Sequence, residues 1–265
     1  MAPLPFQGNA AALSSDGLAH VCARLGVHAA EIWTVLAVET SGCGFWPDRR
    51  PQILFERHIF HRLTNGQYDD GDISHPTPGG YGRRGAHQYD RLALAINKDR
   101  AAALQSASWG IGQIMGMNFA RAGFQNVEDM VSAMSDSEDR QLAAMAAFLR
   151  STGLAASLQA HDWASFARGY NGPNYAINQY DMRLNSAYQK YSTGALPDLS
   201  VRAAQLYLSY LGFDPGRVDG RAKKRTLAAW AKFQNKNGIS PAATLDDKSI
   251  AQLQAGLKKA AAAAG

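Results

Sequence analysis

Residues 29–40 place Ile32, Val35 and Leu36 at the i, i+3, i+4 spacing of a helix with one buried face. The next position on that face is Glu39, and Thr40, Ser41 and Gly42 follow at once. A chain with such a segment must wrap apolar partners around a helix and bring a carboxylate to its inner end. Two readings of Glu39 follow. A desolvated carboxyl keeps its proton toward neutral pH and can act as a general acid. Alternatively, Glu39 pairs with an arginine or rolls to the helix edge.

The length of 265 residues accommodates one large and one small domain. Charge divides the chain in the same way. Residues 197–265 hold 11 Lys and Arg against 5 Asp and Glu, a net +6, whereas the preceding part is close to neutral. A basic module joined to a neutral one predicts an anionic partner for the tail; nucleic acid, anionic membrane and bacterial cell wall all qualify. The N-terminal MAPLPFQGNAAALSSDG lacks the basic and apolar regions of a secretory signal, so synthesis in the cytoplasm is expected. No segment has the apolar length of a membrane span. Cys22 and Cys43 match neither a disulfide framework nor a zinc pattern; two reduced thiols are expected, a single bridge after export being the alternative.

Ser192 to Pro197 read as a linker, which divides the chain into residues 1–191, a linker over 192–197, and residues 198–265. Beyond it lie three apolar stripes. They are Val201, Ala204, Leu208 and Leu211 before Gly212; Thr226, Ala229, Trp230 and Phe233; and Ile250, Leu253 and Leu257, opened by Thr244 and Asp247. They predict a three-helix bundle that folds by itself, with few contacts to the rest, and a fraying end over 258–265. The first 190 residues are mainly helical too. A helix over 136–152 is expected, with Ser135 and Glu138 as its capping box, while the Gly-rich interval 69–85 predicts loops with a small hairpin.

Two further segments combine glycine with sugar-compatible side chains. In SASWGIGQIMG, residues 106–116, Gly110 and Gly112 allow close approach of a bound chain, and Trp109 offers a flat face; the other reading is a tight packing segment. In ARGYNGPNY, residues 167–175, Asn-Gly and Gly-Pro mark a turn that presents Tyr170 and Asn171, unless it is simply a decorated loop.

Taken in order, VLAVETSG, ILFERHIF, SASWGIGQIMG and ARGYNGPNY resemble the lysozyme superfamily, in particular the N-acetylmuramidase domain of phage endolysins. The resemblance spans roughly residues 15–191. It implies a mainly α, lysozyme-like catalytic domain that hydrolyses the β-1,4 bond between N-acetylmuramic acid and N-acetylglucosamine, with Glu39 as the acid. It also implies substrate contacts from Ser108, Trp109, Gly110, Gln113, Met115, Tyr170 and Asn171. Glu56 is the first choice for a second carboxylate, with a structural ion pair to Arg57 or another cation as the other reading; Asp69, Asp70 and Asp72 are weaker candidates. Glu56, His58 and His61 do not have the spacing of a zinc site, and no metal or cofactor is expected.

The tail sequence VRAAQLYLSYLGF, with VDG and the segment from Thr226 to Gln234, is similar to the three-helix peptidoglycan-binding domain. The similarity implies wall contacts from Phe213, Asp219, Gly220, Thr226 and Gln234. The RAKKR loop after Gly220 departs from the family pattern by being unusually basic. The implied protein is a monomer that acts on peptidoglycan after release by a holin or a secretion machine, with no role for nucleic acid or membrane insertion. The rivals are a lytic transglycosylase of the same fold and a non-catalytic wall-binding virion component. A nucleic-acid-binding protein ranks below them, because the tail lacks the known recognition motifs.

Overall fold

The computed structural model describes residues 4–40, 42–242 and 244–264; Ser41 of the VLAVETSG segment lies outside them. Helices dominate. In chain order the elements are α1 Ser15–Leu25, α2 Ala29–Glu39, β1 Ile53–Phe55, α3 Arg57–Leu63, α4 Gln88–Ile96, α5 Arg100–Gln105, β2 Ala107–Trp109 and β3 Ile114–Met115. They continue with α6 Val127–Asp136, α7 Glu138–Ser151, α8 Leu154–Gln159, α9 Trp163–Asn171, α10 Tyr180–Thr193, α11 Leu199–Tyr210, α12 Lys224–Lys236 and α13 Asp247–Ala264. No single helix among the described residues is long and apolar enough to cross a membrane.

Helix α2 is the centre of the larger core. Ile32, Val35 and Leu36 are fully buried, as their spacing requires, and α10 packs along the helix while α1, itself backed by α7, meets another side. At the start of α2, Glu31 accepts from the His28 N–H at 3.1 Å and from His161 at 2.8 Å, so its buried carboxylate is paired. The three strands form one small antiparallel sheet in the order β1-β2-β3, with Ile53 opposite Trp109 and Trp109 opposite Ile114.

Three sequence expectations change here. The hairpin forms over residues 107–115; the described residues of 69–85 contain no strand. The apolar members of the later segment fit a buried pleat, whereas Asp70 closes the earlier one by accepting N–H bonds from Asp72 and Ile73, both at 2.9 Å. The long helix expected over 136–152 is preceded by a separate helix, α6, and its N-cap is Ser137. Ser137 accepts from the Arg140 N–H, while Ser135 turns back to the Val131 carbonyl inside α6. Helix α13 is opened by Asp246, which accepts from the Ser249 N–H at 3.0 Å, in place of a Thr244–Asp247 box.

The last three helices do bury the expected stripes around Ala204, Leu208, Trp230, Phe233 and Leu253. They are not held apart from the first 190 residues. Helix α10 continues through Thr193, into the expected linker. Leu206 of α11 packs with Ala10 and Phe45, and the Tyr210 hydroxyl donates to the Ala10 carbonyl at 3.0 Å. The Tyr207 hydroxyl accepts from the Ala12 N–H at 3.2 Å. The expectation of few contacts fails because α11 is apolar on two faces. One face covers its own bundle, and the other covers the loop after α2.

Candidate active site

Glu39 is the last residue of α2. Two contacts fix the turn that follows: the Thr40 N–H returns to the Leu36 carbonyl, and the Thr40 hydroxyl donates to the Ile111 carbonyl at 2.9 Å. The end of the helix is thereby tied to the hairpin. The carboxyl sits deep among protein atoms although part of the residue remains accessible, and burial pushes it up to about 7. Two groups act against that rise. Asn171 Nδ2 donates to Glu39 Oε1 at 3.0 Å, and the positive charge of Arg183 lies within reach. Arg183 is anchored on the same helix end by donating to the Val38 carbonyl at 3.2 Å.

Asn171 ends α9, and the turn begins at Gly172, whose φ of +87° suits glycine. Its Oδ1 is buried and has no partner. The preceding Tyr170 stacks on Phe166 and donates its hydroxyl to the Gly112 carbonyl at 2.5 Å. Burial, and then the charge of Glu39, hold that phenol well above its ordinary value, so it remains a neutral donor.

The glycine-rich segment is a turn held from behind. Gln141 of α7 accepts from the Ile111 N–H at 2.7 Å, and Gly110 donates to the Gln52 carbonyl at 2.8 Å. Gly110 has φ +70°, and a β-carbon there would meet the Gln141 side chain at 2.6 Å, so two constraints demand glycine. Gln113 donates to the Gly110 and Gln52 carbonyls and accepts from Ser108 at 2.8 Å. Ser108 and Gln113 thus brace the hairpin, and Met115 stands half-buried on β3.

Trp109 requires a correction. It is fully buried, its indole N–H donates to the Leu104 carbonyl at 3.1 Å, and Phe6 packs against it. Its position on the central strand turns the ring into the core, so it supports the turn and offers no face to a sugar.

Glu56 lies just before α3, where its N–H donates to the Ser106 carbonyl at 2.8 Å. Arg57 does not pair with it and donates instead to the Gly71 carbonyl at 2.6 Å. His58 Nδ1 approaches Glu56 Oε2 to 3.2 Å without the direction of a hydrogen bond, and both atoms are buried without a partner. Burial pushes Glu56 up, against a bond from Tyr81 and the charge of Arg91; burial also pushes His58 down, leaving it neutral. Tyr180 responds to the charge of Glu39, and Tyr81 to Tyr180 and to Glu56, after burial as the main cause in each. Tyr180 thus senses Glu39, and Tyr81 senses Glu56. Sequence reasoning did not find Arg183, Tyr180 or Tyr81. Their positions follow from packing against α2 and across the 69–85 loop.

Among the described residues no group of three or more His, Cys, Asp or Glu side chains gathers as a metal site. His61 is paired with Asp69 at 2.7 Å, and Cys22 and Cys43 are free thiols.

In the tail, three of the five residues expected to touch the wall are buried. Thr226 donates to the Pro215 carbonyl at 2.9 Å and accepts from Gln205, while Gln234 donates to the Ser240 carbonyl. Gly220 has φ +69° and packs against the backbone of Asp198, where a β-carbon would come within 2.8 Å. Thr226 and Gly220 are thus taken up in shaping loops, whereas Gln234 also lines a cavity with Leu227, Trp230 and Pro241. Asp219 is occupied by Lys223 at 2.6 Å and by Gln205, and Phe213 meets Phe233 edge-on.

Residues 28–192 match the family model of N-acetylmuramidase, and residues 198–253 match that of a putative peptidoglycan binding domain. Among solved structures, that of a Burkholderia AP3 phage endolysin is 38% identical, with a TM-score of 0.62, over 71% of this chain and 72% of the other. No curated protein matches.

Proposed function

The chain belongs to the N-acetylmuramidase family, and from that premise we propose that Glu39 is its general acid and Glu56 its second carboxylate. The protein is a glycoside hydrolase of muramidase type, and its substrate is peptidoglycan. The observation that carries the residue assignment is the Glu39 carboxyl. It is buried at the end of the core helix, pushed up to about 7, and held at one oxygen by Asn171.

That bond selects the reactive oxygen. Oε1 accepts from Asn171, so the acid proton resides on Oε2, from which it passes to the glycosidic oxygen as the sugar ring gains oxocarbenium character. Asn171 acts through its amide, which holds Oε1, while its own Oδ1 is buried. Thr40 and Tyr170 tie the buried turn at Ile111 and Gly112 to the helix ends that carry Glu39 and Asn171. Ionised Glu56 activates water or stabilises the positive charge that develops. Arg183 is placed to favour the carboxylate left behind after proton transfer.

The similarity to a phage endolysin supports a role in host-cell lysis, with the basic tail concentrating the enzyme on anionic wall material. The enzyme acts as a monomer and needs no nucleic acid or membrane insertion. Mass spectrometry of digested, borohydride-reduced peptidoglycan tests the reaction. Reduced muramic acid ends are expected; 1,6-anhydro ends would assign a lytic transglycosylase, and reduced glucosamine ends a glucosaminidase.

A further inference from the structure

We propose that the wall-binding tail supplies a positioning residue to the catalytic centre: Arg202 of α11 grips the loop that follows Glu39. The guanidinium is 1% exposed and the Glu138 carboxylate is fully buried. They meet through both forks, Nη1 to Oε2 at 2.5 Å and Nη2 to Oε1 at 2.6 Å. On its other edge Arg202 donates from Nε to the Gly42 carbonyl at 2.8 Å, with a second bond from Nη2 to the same oxygen. Gly42 is three residues beyond Glu39, and its own N–H returns to the Leu36 carbonyl of α2 at 3.0 Å. Glu138 in turn accepts from the Gly44 N–H at 2.8 Å and from the Leu13 N–H at 2.8 Å. The guanidinium also lies over the ring of Trp33 on α2, 5.7 Å from its centroid.

One side chain from the tail thus holds the Gly42 carbonyl, the carboxylate that holds the Gly44 N–H, and a ring of the catalytic helix. A surface tether has no need of such contacts. A bare linker brings a binding module to the wall without burying a charge pair beneath the acid's own turn. The arrangement makes α11 part of the frame that sets where the Glu39 carboxyl stands, through the Arg202 grip itself. The inference rests on Glu39 being the acid, and the experiment separates the two.

Soluble glycan fragments, which need no wall anchoring, are the substrate, and the full chain is used throughout. Arg202→Met removes the grip, and Arg202→Lys keeps the charge but cannot serve two carboxylate oxygens and the Gly42 carbonyl together. Tyr210→Phe loosens docking at Ala10 and leaves Arg202 in place. At a temperature where each variant is folded, kcat is expected to fall about tenfold or more in Arg202→Met and several-fold in Arg202→Lys, with KM within about threefold of wild type, while Tyr210→Phe keeps its kcat. If Arg202→Met does not fold, Arg202→Lys decides. Wild-type kcat in Arg202→Lys overturns the proposal, as does a loss in Tyr210→Phe equal to that in Arg202→Lys. Should Glu39→Gln retain turnover, the acid assignment falls by itself, whatever Arg202 does.

Discussion

Asn171 donates its side-chain amide to Glu39 Oε1 at 3.0 Å, joining the ends of two helices that are 132 residues apart. Among the described residues that is the one hydrogen bond to the acid's carboxyl, and it opposes the burial that raises Glu39.

Removing it has a definite sign. Asn171→Ala takes away a group that favours the carboxylate, so Glu39 is expected to rise further above about 7. The alkaline limb of the kcat/KM–pH profile moves to higher pH, and the rate at its plateau falls about tenfold because the carboxyl is no longer oriented. An alkaline limb that stays in place or moves down would contradict the assignment.

Glu39 also affects stability. Its folded value lies above the ordinary 4.5, so between about pH 4.5 and 7 the folded chain holds a proton that the unfolded chain has lost. Wild type is therefore destabilised as pH rises through that window, by about 3 kcal/mol at most. Glu39→Gln lacks this loss. Denaturant melts at pH 4 and pH 8 are expected to show the variant gaining on wild type only at the higher pH.

For Glu56, Glu56→Gln is expected to lower kcat by about a hundredfold or more with little change in Tm. Its buried Oε2 has no hydrogen-bond partner, so little stabilising contact is lost. A lower Tm with normal specific activity would make Glu56 a structural residue.

Trp109 is the converse case. Trp109→Ala is expected to cost about 3–5 kcal/mol of stability, as loss of a fully buried aromatic does, while KM for soluble glycan changes little at temperatures where the variant is folded. A large rise in KM without loss of stability would restore the sugar-platform role.

The features legible in the sequence were local ones. The stripe through Ile32, Val35 and Leu36 repeats within one turn of helix, so its burial and the place of Glu39 could be read directly. Trp109 was misread because a strand of three residues shows too little alternation to reveal which face it turns inward. Ser135 and Ser137 are two residues apart, and only the actual start of α7 decides which one caps it. Arg202 counted toward the basic tail, yet its charge is spent on Glu138, 64 residues earlier in the chain, and no spacing rule reaches that far. Lys223 and Arg225 are paired within the tail itself, with Asp219 and Asp214, whose charges the net +6 already counts. Those pairs are exposed and add little to stability.

Everything proposed for the site depends on Glu39 delivering the proton. The most direct measurement is kcat for Glu39→Gln on a soluble glycan fragment at pH 6, with circular dichroism matched to wild type. Gln keeps the shape and can still accept from Asn171, but it has no acidic proton to give. A loss of at least about a hundredfold is expected; turnover within a few-fold of wild type would remove Glu39 from the role of acid.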